Sequence, residues 1–174
     1  MSDTAVSLDA SLPLAWEDAG QVSHAVLEQR KLTNLSLLKA LAAIDAAMQE
    51  RDEVPEAMRK HLERVESKLD VLLMLVALTL NSTPLPPDCE IKLSPTQINW
   101  KPGRNLPSVG QTIAIQLFLT PRIPQPLVLQ AIVRNSGCDE VCADLLGMDE
   151  ELDEWITRTI FRHHRRAVHA RKQP

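Results

Sequence analysis

The chain has 174 residues, 44% of them hydrophobic, and a formal net charge of −4, which suits one ordinary domain or two small ones around a packed core and excludes wholesale disorder. With three Trp, two Phe and no Tyr there is little material for an aromatic stacking platform, which argues against a single-stranded nucleic-acid binder. The charge is uneven: residues 1–20 hold Asp3, Asp9, Glu17 and Asp18 without any Lys or Arg, whereas Arg158, Arg162, Arg165, Arg166, Arg171 and Lys172 follow Glu154 without any acid.

In chain order, residues 1–20 are small, polar and acidic, and are expected to form a flexible acidic tail. From about Gln21 to Glu50 the pattern is helical, with Leu27, Leu37, Leu38, Leu41, Ile44 and Met48 recurring at helical spacing among alanines. Arg51-Asp52-Glu53-Val54 interrupts it, and Pro55 suits the first turn of a second helix, with Asp52, Glu53 and Glu56 placed to favour its positive end. This helix is expected to reach Leu80, where Asn81-Ser82-Thr83-Pro84 stops it and Pro86-Pro87 prevents resumption.

Within that second helix Met58, Leu62, Val65, Leu69, Leu72 and Val76 are separated alternately by four and three residues. The spacing is a heptad seam, with Leu62, Leu69 and Val76 at a and Met58, Val65 and Leu72 at d. The seam runs into Val71-Leu72-Leu73-Met74-Leu75-Val76-Ala77-Leu78, apolar all round, which requires burial on several sides. Leu at a with β-branched Val at d in the centre of the seam, and Leu73 and Leu75 at e and g, favour more than two strands. Residues 21–83 therefore read as a helical oligomerisation region and the chain as a homotetramer. The competing reading is an intrachain helical hairpin.

After Pro87 the pattern changes. Cys89–Leu93 and Gln97–Lys101 read as short strands around Ser94-Pro95-Thr96, and Pro102-Gly103 and Val109-Gly110 read as turns. Thr112–Leu119 alternates with Ile113, Ile115, Leu117 and Leu119, and Leu127–Arg134 follows a proline-bounded loop. Asn135-Ser136-Gly137 reads as a hairpin turn, with a weaker strand near Glu140–Leu146. The final helix is expected over Asp149–His169, with Leu152, Trp155, Ile156, Ile160 and Phe161 turned inward and Arg162, Arg165 and Arg166 outward. The fold class is α+β: an N-terminal helical hairpin with heptads, then a small antiparallel β-barrel over 84–174 closed by the C-terminal helix.

Cys89, Cys138 and Cys142 lack a zinc-type pattern and read as reduced thiols of a cytoplasmic protein. No signal-peptide pattern opens the chain, and the apolar run at 71–80 is about half of what a bilayer requires, so no membrane insertion is expected. His163, His164 and His169 sit at offsets that do not converge on a metal, leaving a basic helix end that complements its own dipole. No glycine-rich phosphate loop and no nucleophile–base pair is present, so no enzyme activity, cofactor or metal is assigned.

The second half resembles the PilZ domain, the small β-barrel that bacteria use as a cyclic di-GMP receptor. The resemblance is carried by Ile91-Lys92-Leu93-Ser94-Pro95-Thr96-Gln97-Ile98 at the position of the family's D/N-x-S-x-x-G turn. It continues through Gly110 with the strand Ile113 to Pro121, through Leu127 to Val133, and through Met148 to Leu152 leading to Ile160 to Arg166. With a heptad helix in front of it, the chain is similar to the tetrameric PilZ subtype of xanthomonads with a degenerate nucleotide site. Binding members use an R-x-x-x-R pair before the barrel, whereas no Arg lies between Arg64 and Arg104 here. Of the turn motif only Ser94 matches, with Lys92 at the acid position and Gln97 at the glycine position. Bidentate guanidinium donors for two phosphates are missing, and Gln97 would obstruct close backbone approach.

The resemblance implies a non-catalytic scaffold or adaptor in cyclic di-GMP signalling, partnered by itself and by an unidentified protein, with cyclic di-GMP and nucleic acid disfavoured as ligands. Two other readings compete: a genuine cyclic di-GMP receptor with a rebuilt site, and a nucleic-acid binder using the basic C-terminal helix.

Overall fold

The computed structural model describes residues 7–20, 22–49, 84–103, 105–120, 123 and 125–170, together with 58, 61, 64, 65, 67–69, 71 and 72. Six strands among these residues close a barrel: β1 (Leu8–Asp18), β2 (Asp88–Leu93), β3 (Gln97–Trp100), β4 (Thr112–Leu117), β5 (Leu127–Ser136) and β6 (Val141–Leu146). Their order around the barrel is β1-β2-β3-β6-β5-β4, every pair antiparallel. Alternation fills the interior: Ile91 and Leu93, Ile98 and Trp100, Ile113, Ile115 and Leu117, then Leu127, Leu129, Ala131 and Val133 are all buried.

The expected flexible tail is corrected by β1. Leu8, Ala10, Leu12, Leu14 and Trp16 alternate with polar or small residues, the period of a half-buried strand. Leu8–Pro13 pairs with β2 and Leu14–Asp18 with β4, so this one strand closes the barrel. Pro13 stands at the switch between partners, where a residue without an N–H costs least, and its carbonyl accepts from Phe118 N–H at 3.1 Å. The barrel is thus not confined to residues 84–174.

Two boundaries also move. Asn135 and Ser136 extend β5, paired with Cys142 and Val141 across a register shift after Val133, so the hairpin turn lies at 137–140 instead of at Asn135-Ser136-Gly137. Thr112–Leu117 ends short of Leu119, although Phe118 and Leu119 are buried.

The first helix, α1 (His24–Gln49), lies against the barrel and the C-terminal helix through Leu35, Leu37 and Leu38. Asn34, 2% exposed, donates to the Val128 carbonyl at 2.8 Å and accepts the Val128 N–H at 2.9 Å. That side chain completes the backbone bonding of β5 before its ladder with β6 begins at Gln130. The C-terminal helix, α2 (Glu150–Ala170), packs on α1 and β1. Asp149 caps it by accepting the Leu152 N–H at 3.0 Å and also pairs with Lys31 of α1.

Leu152, Ile156 and Ile160 face inward as expected. Phe161 does not: it is 52% exposed, and Thr159 is buried instead. Thr159 lies on the inner stripe and satisfies its hydroxyl on the Trp155 carbonyl at 2.8 Å, whereas Phe161 is a further 200° around the helix. Arg162, expected on the outside, is half-buried, with Nη2 donating to Thr159 Oγ1 at 3.0 Å. Arg165 is exposed, and the Arg166 side chain lies outside the described residues.

Candidate nucleotide site and assembly surface

The residues at the position of the ligand turn fall between β2 and β3. Ser94 N–H donates to the Gln97 carbonyl at 2.8 Å, and Ser94 Oγ accepts the Gln97 N–H at 3.0 Å while donating to the Gln97 carbonyl at 3.0 Å. The hydroxyl is therefore spent inside its own turn. Gln97 pairs in register with Asp144 of β6 and donates from Nε2 to Asp144 Oδ1 at 3.1 Å. Arg134 of β5 donates from Nε to the other carboxylate oxygen at 2.5 Å. The Arg134 hydrogen bond, then that of Gln97, holds the Asp144 carboxyl below the usual carboxylate range. The guanidinium tied to this turn is thus already neutralised by a carboxylate of the same sheet.

Lys92 is exposed on β2, in register between Asp9 of β1 and Asn99 of β3. It lines an open groove of about 490 Å³ on the barrel's outer face with Lys101, Asp9, Glu90, Asp139 and Glu140. Glu140 is held in place by Asn99, whose Nδ2 donates to Oε1 at 3.0 Å. Four carboxylates thus line the groove beside two ammonium groups. A second groove of about 660 Å³ is walled by Leu14, Trp16, Pro86, Pro87 and Pro102, with one cation, Lys101, beside Asp88 and Glu90.

Ser94 and Gln97 are brought together, and Lys92 lies on the strand leading into their turn. Asp144, Arg134 and the carboxylates facing Lys92 were not foreseen. Asp9 carried a signal in the alternation of β1, but nothing local in the sequence sets the register of β6 against β3.

In the heptad segment Met58, Val65, Leu69 and Leu72 occupy helical positions and are 60%, 42%, 52% and 56% exposed in the single chain. Leu62 and Val76 lie outside the described residues.

Cys89, Cys138 and Cys142 are free thiols. Burial pushes the Cys89 and Cys142 thiols up, as expected of inert positions. Among the described residues no three His, Cys, Asp or Glu side chains are grouped to hold a metal ion, and no helix is long and apolar enough to cross a membrane.

Comparison with known proteins agrees with this architecture. Residues 38–173 match the family model described as atypical PilZ domain, cyclic di-GMP receptor. Among solved structures, a pathogenic protein from Xanthomonas campestris, described as a new tetrameric PilZ domain self-assembled via an unusual helical bundle, superposes with a TM-score of 0.72 at 24% identity, over 95% of this chain and 91% of that one. No curated protein matches in sequence. A closed six-stranded barrel and a family match over most of the chain place this protein in the atypical PilZ domain family and so relate it to cyclic di-GMP signalling.

Proposed function

We propose that this protein is a non-catalytic, cytoplasmic adaptor of cyclic di-GMP signalling that assembles as a homotetramer through its heptad helix and presents several barrels without binding the dinucleotide itself. One observation supports the non-binding part above the others. Four groups at or beside the turn are occupied or opposed: Ser94 by Gln97, Gln97 and Arg134 by Asp144, and Lys92 by the carboxylates of its groove. Releasing Arg134 for a phosphate would leave Asp144 facing that phosphate, a like-charge contact with a large cost.

Assembly is supported by the exposed heptad residues and by the tetrameric description of the Xanthomonas campestris structure. The family's description as a receptor favours a second reading, in which Lys92 and Arg134 are redeployed around a bound ligand. Isothermal calorimetry with cyclic di-GMP at micromolar concentration separates the two. No saturable heat is expected. Saturable binding that Arg134→Ala abolishes would establish the receptor.

A further inference from the structure

We propose that the outer stripe of α2 formed by Arg158, Phe161 and Arg165 is a docking face for an acidic amphipathic segment of another protein. This names the partner's chemistry for the adaptor reading above and rests on it. The three residues are spaced by three and four, so they share one helix face, opposite the buried stripe of Leu152, Ile156, Thr159 and Ile160.

The chain has five aromatic residues. Trp100 and Phe118 are buried, and Trp16 and Trp155 pack against the core; Phe161 alone is more than half exposed. Arg158 and Arg165 flank it on the same face, and α2 itself orients Arg158. Arg158 Nη2 donates to Glu154 at 2.6 Å and its guanidinium lies 5.2 Å from the centroid of the Trp155 ring. Arg162 bonds Thr159 Oγ1 and the Arg158 carbonyl. Arg165 is exposed, and no acid follows Glu154 along the helix.

An exposed apolar anchor flanked by Arg158 and Arg165 on its own helix face has the composition of an interface centre, and Arg158, already oriented by Glu154, loses less freedom on docking. Arg158 already pairs with Glu154 on the same face, so Arg165 supplies the charge that calls for a carboxylate, and Arg favours one in a planar, bidentate pair. A short helix with an apolar side chain between acids spaced by three or four supplies both. From Arg158 to Arg165 the stripe is only about 10 Å long, too short to neutralise the phosphates that hold DNA at physiological salt. One Phe gives marginal insertion into lipid.

The test titrates the full chain with a synthetic helical peptide carrying Glu and Leu on one face at three- and four-residue spacing, followed by fluorescence anisotropy. Saturable binding is expected. It should weaken by roughly tenfold in Phe161→Ala and by at least that in Arg165→Glu, and stay unchanged in Glu150→Gln at the far end of α2. Circular dichroism checks that each variant keeps the fold, as expected at exposed positions. The proposal is overturned by no saturable binding or by an unaffected Phe161→Ala. It is equally overturned by a scrambled peptide of the same composition binding as well, or by duplex DNA or phosphatidylserine vesicles displacing the peptide at lower concentration. Affinity is read per chain, so the result stands apart from the assembly state and from the cyclic di-GMP titration.

Discussion

Asn34 and Asp149 each join α1 to another part of the molecule with a single polar side chain. Asn34 meets both the N–H and the carbonyl of Val128 from a position closed to water, so Asn34→Ala strands two backbone groups. The expected loss is about 1–3 kcal/mol, read from chemical denaturation. Asn34→Asp keeps the acceptor but not the donor and should lie on the destabilised side as well.

Asp149 is held below the usual carboxylate range, first by the Lys31 hydrogen bond and then by the Leu152 N–H. A depressed folded value contributes stability above the unfolded value of about 3.9, and that contribution is lost as pH falls through the folded value. Lys31 is raised by the same pair, so its share persists until pH climbs through its folded value, above about 10.4. Asp149→Asn should therefore flatten the acid limb of a stability–pH curve below about pH 4. An unchanged limb would show that the pair is fully screened. Neither residue was legible beforehand. An Asn in a helix pattern looks like a solvated position, and Asp149 looks like part of an acidic first turn, until the tertiary partner is known.

At the scale of elements, β2 to β6 were readable because alternation and turn residues lie side by side in the sequence. Ile113, Ile115 and Leu117 are a clear instance, all of them fully buried. The strand β1 is harder to see, although Leu8 to Trp16 alternates equally well. Its partners lie about 80 and 100 positions away along the chain, and its small, polar and acidic residues suggest solvent. Register across so long a separation is set by barrel closure and leaves no local trace. The inner face of α2 follows from the sequence at Leu152, Ile156 and Ile160 but not at Phe161, because apolar character alone does not distinguish a core residue from an exposed one. Deleting residues 1–18 should open the barrel, leaving β2 and β4 as bare edges prone to association. Loss of a cooperative thermal transition and aggregation are expected. A truncated chain that melts like the full one would return this segment to the status of a tail.

For the whole molecule, the turn at Ser94 and Gln97 bears on whether a dinucleotide is bound at all. The absence of the arginine pair and the mismatched motif were visible as letters, and the geometry adds the internal bonds that occupy what remained. Glu90, two residues before Lys92 on β2, was visible, but Asp9 and Glu140 come beside Lys92 only once β1 and β3 are in register with β2 and Asn99 holds Glu140. The heptad seam reads the other way: its periodicity announces a partner helix, and Met58, Val65, Leu69 and Leu72 are exposed in the single chain. The adaptor reading depends on covering that stripe with copies of itself. Multi-angle light scattering on the purified chain at micromolar concentration measures this directly. The account predicts about four times the 19.4 kDa chain mass, falling toward the chain mass in Leu69→Asp, where a charge enters the seam. A monomeric mass for the unaltered chain would contradict it and leave an intrachain helical hairpin as the better description.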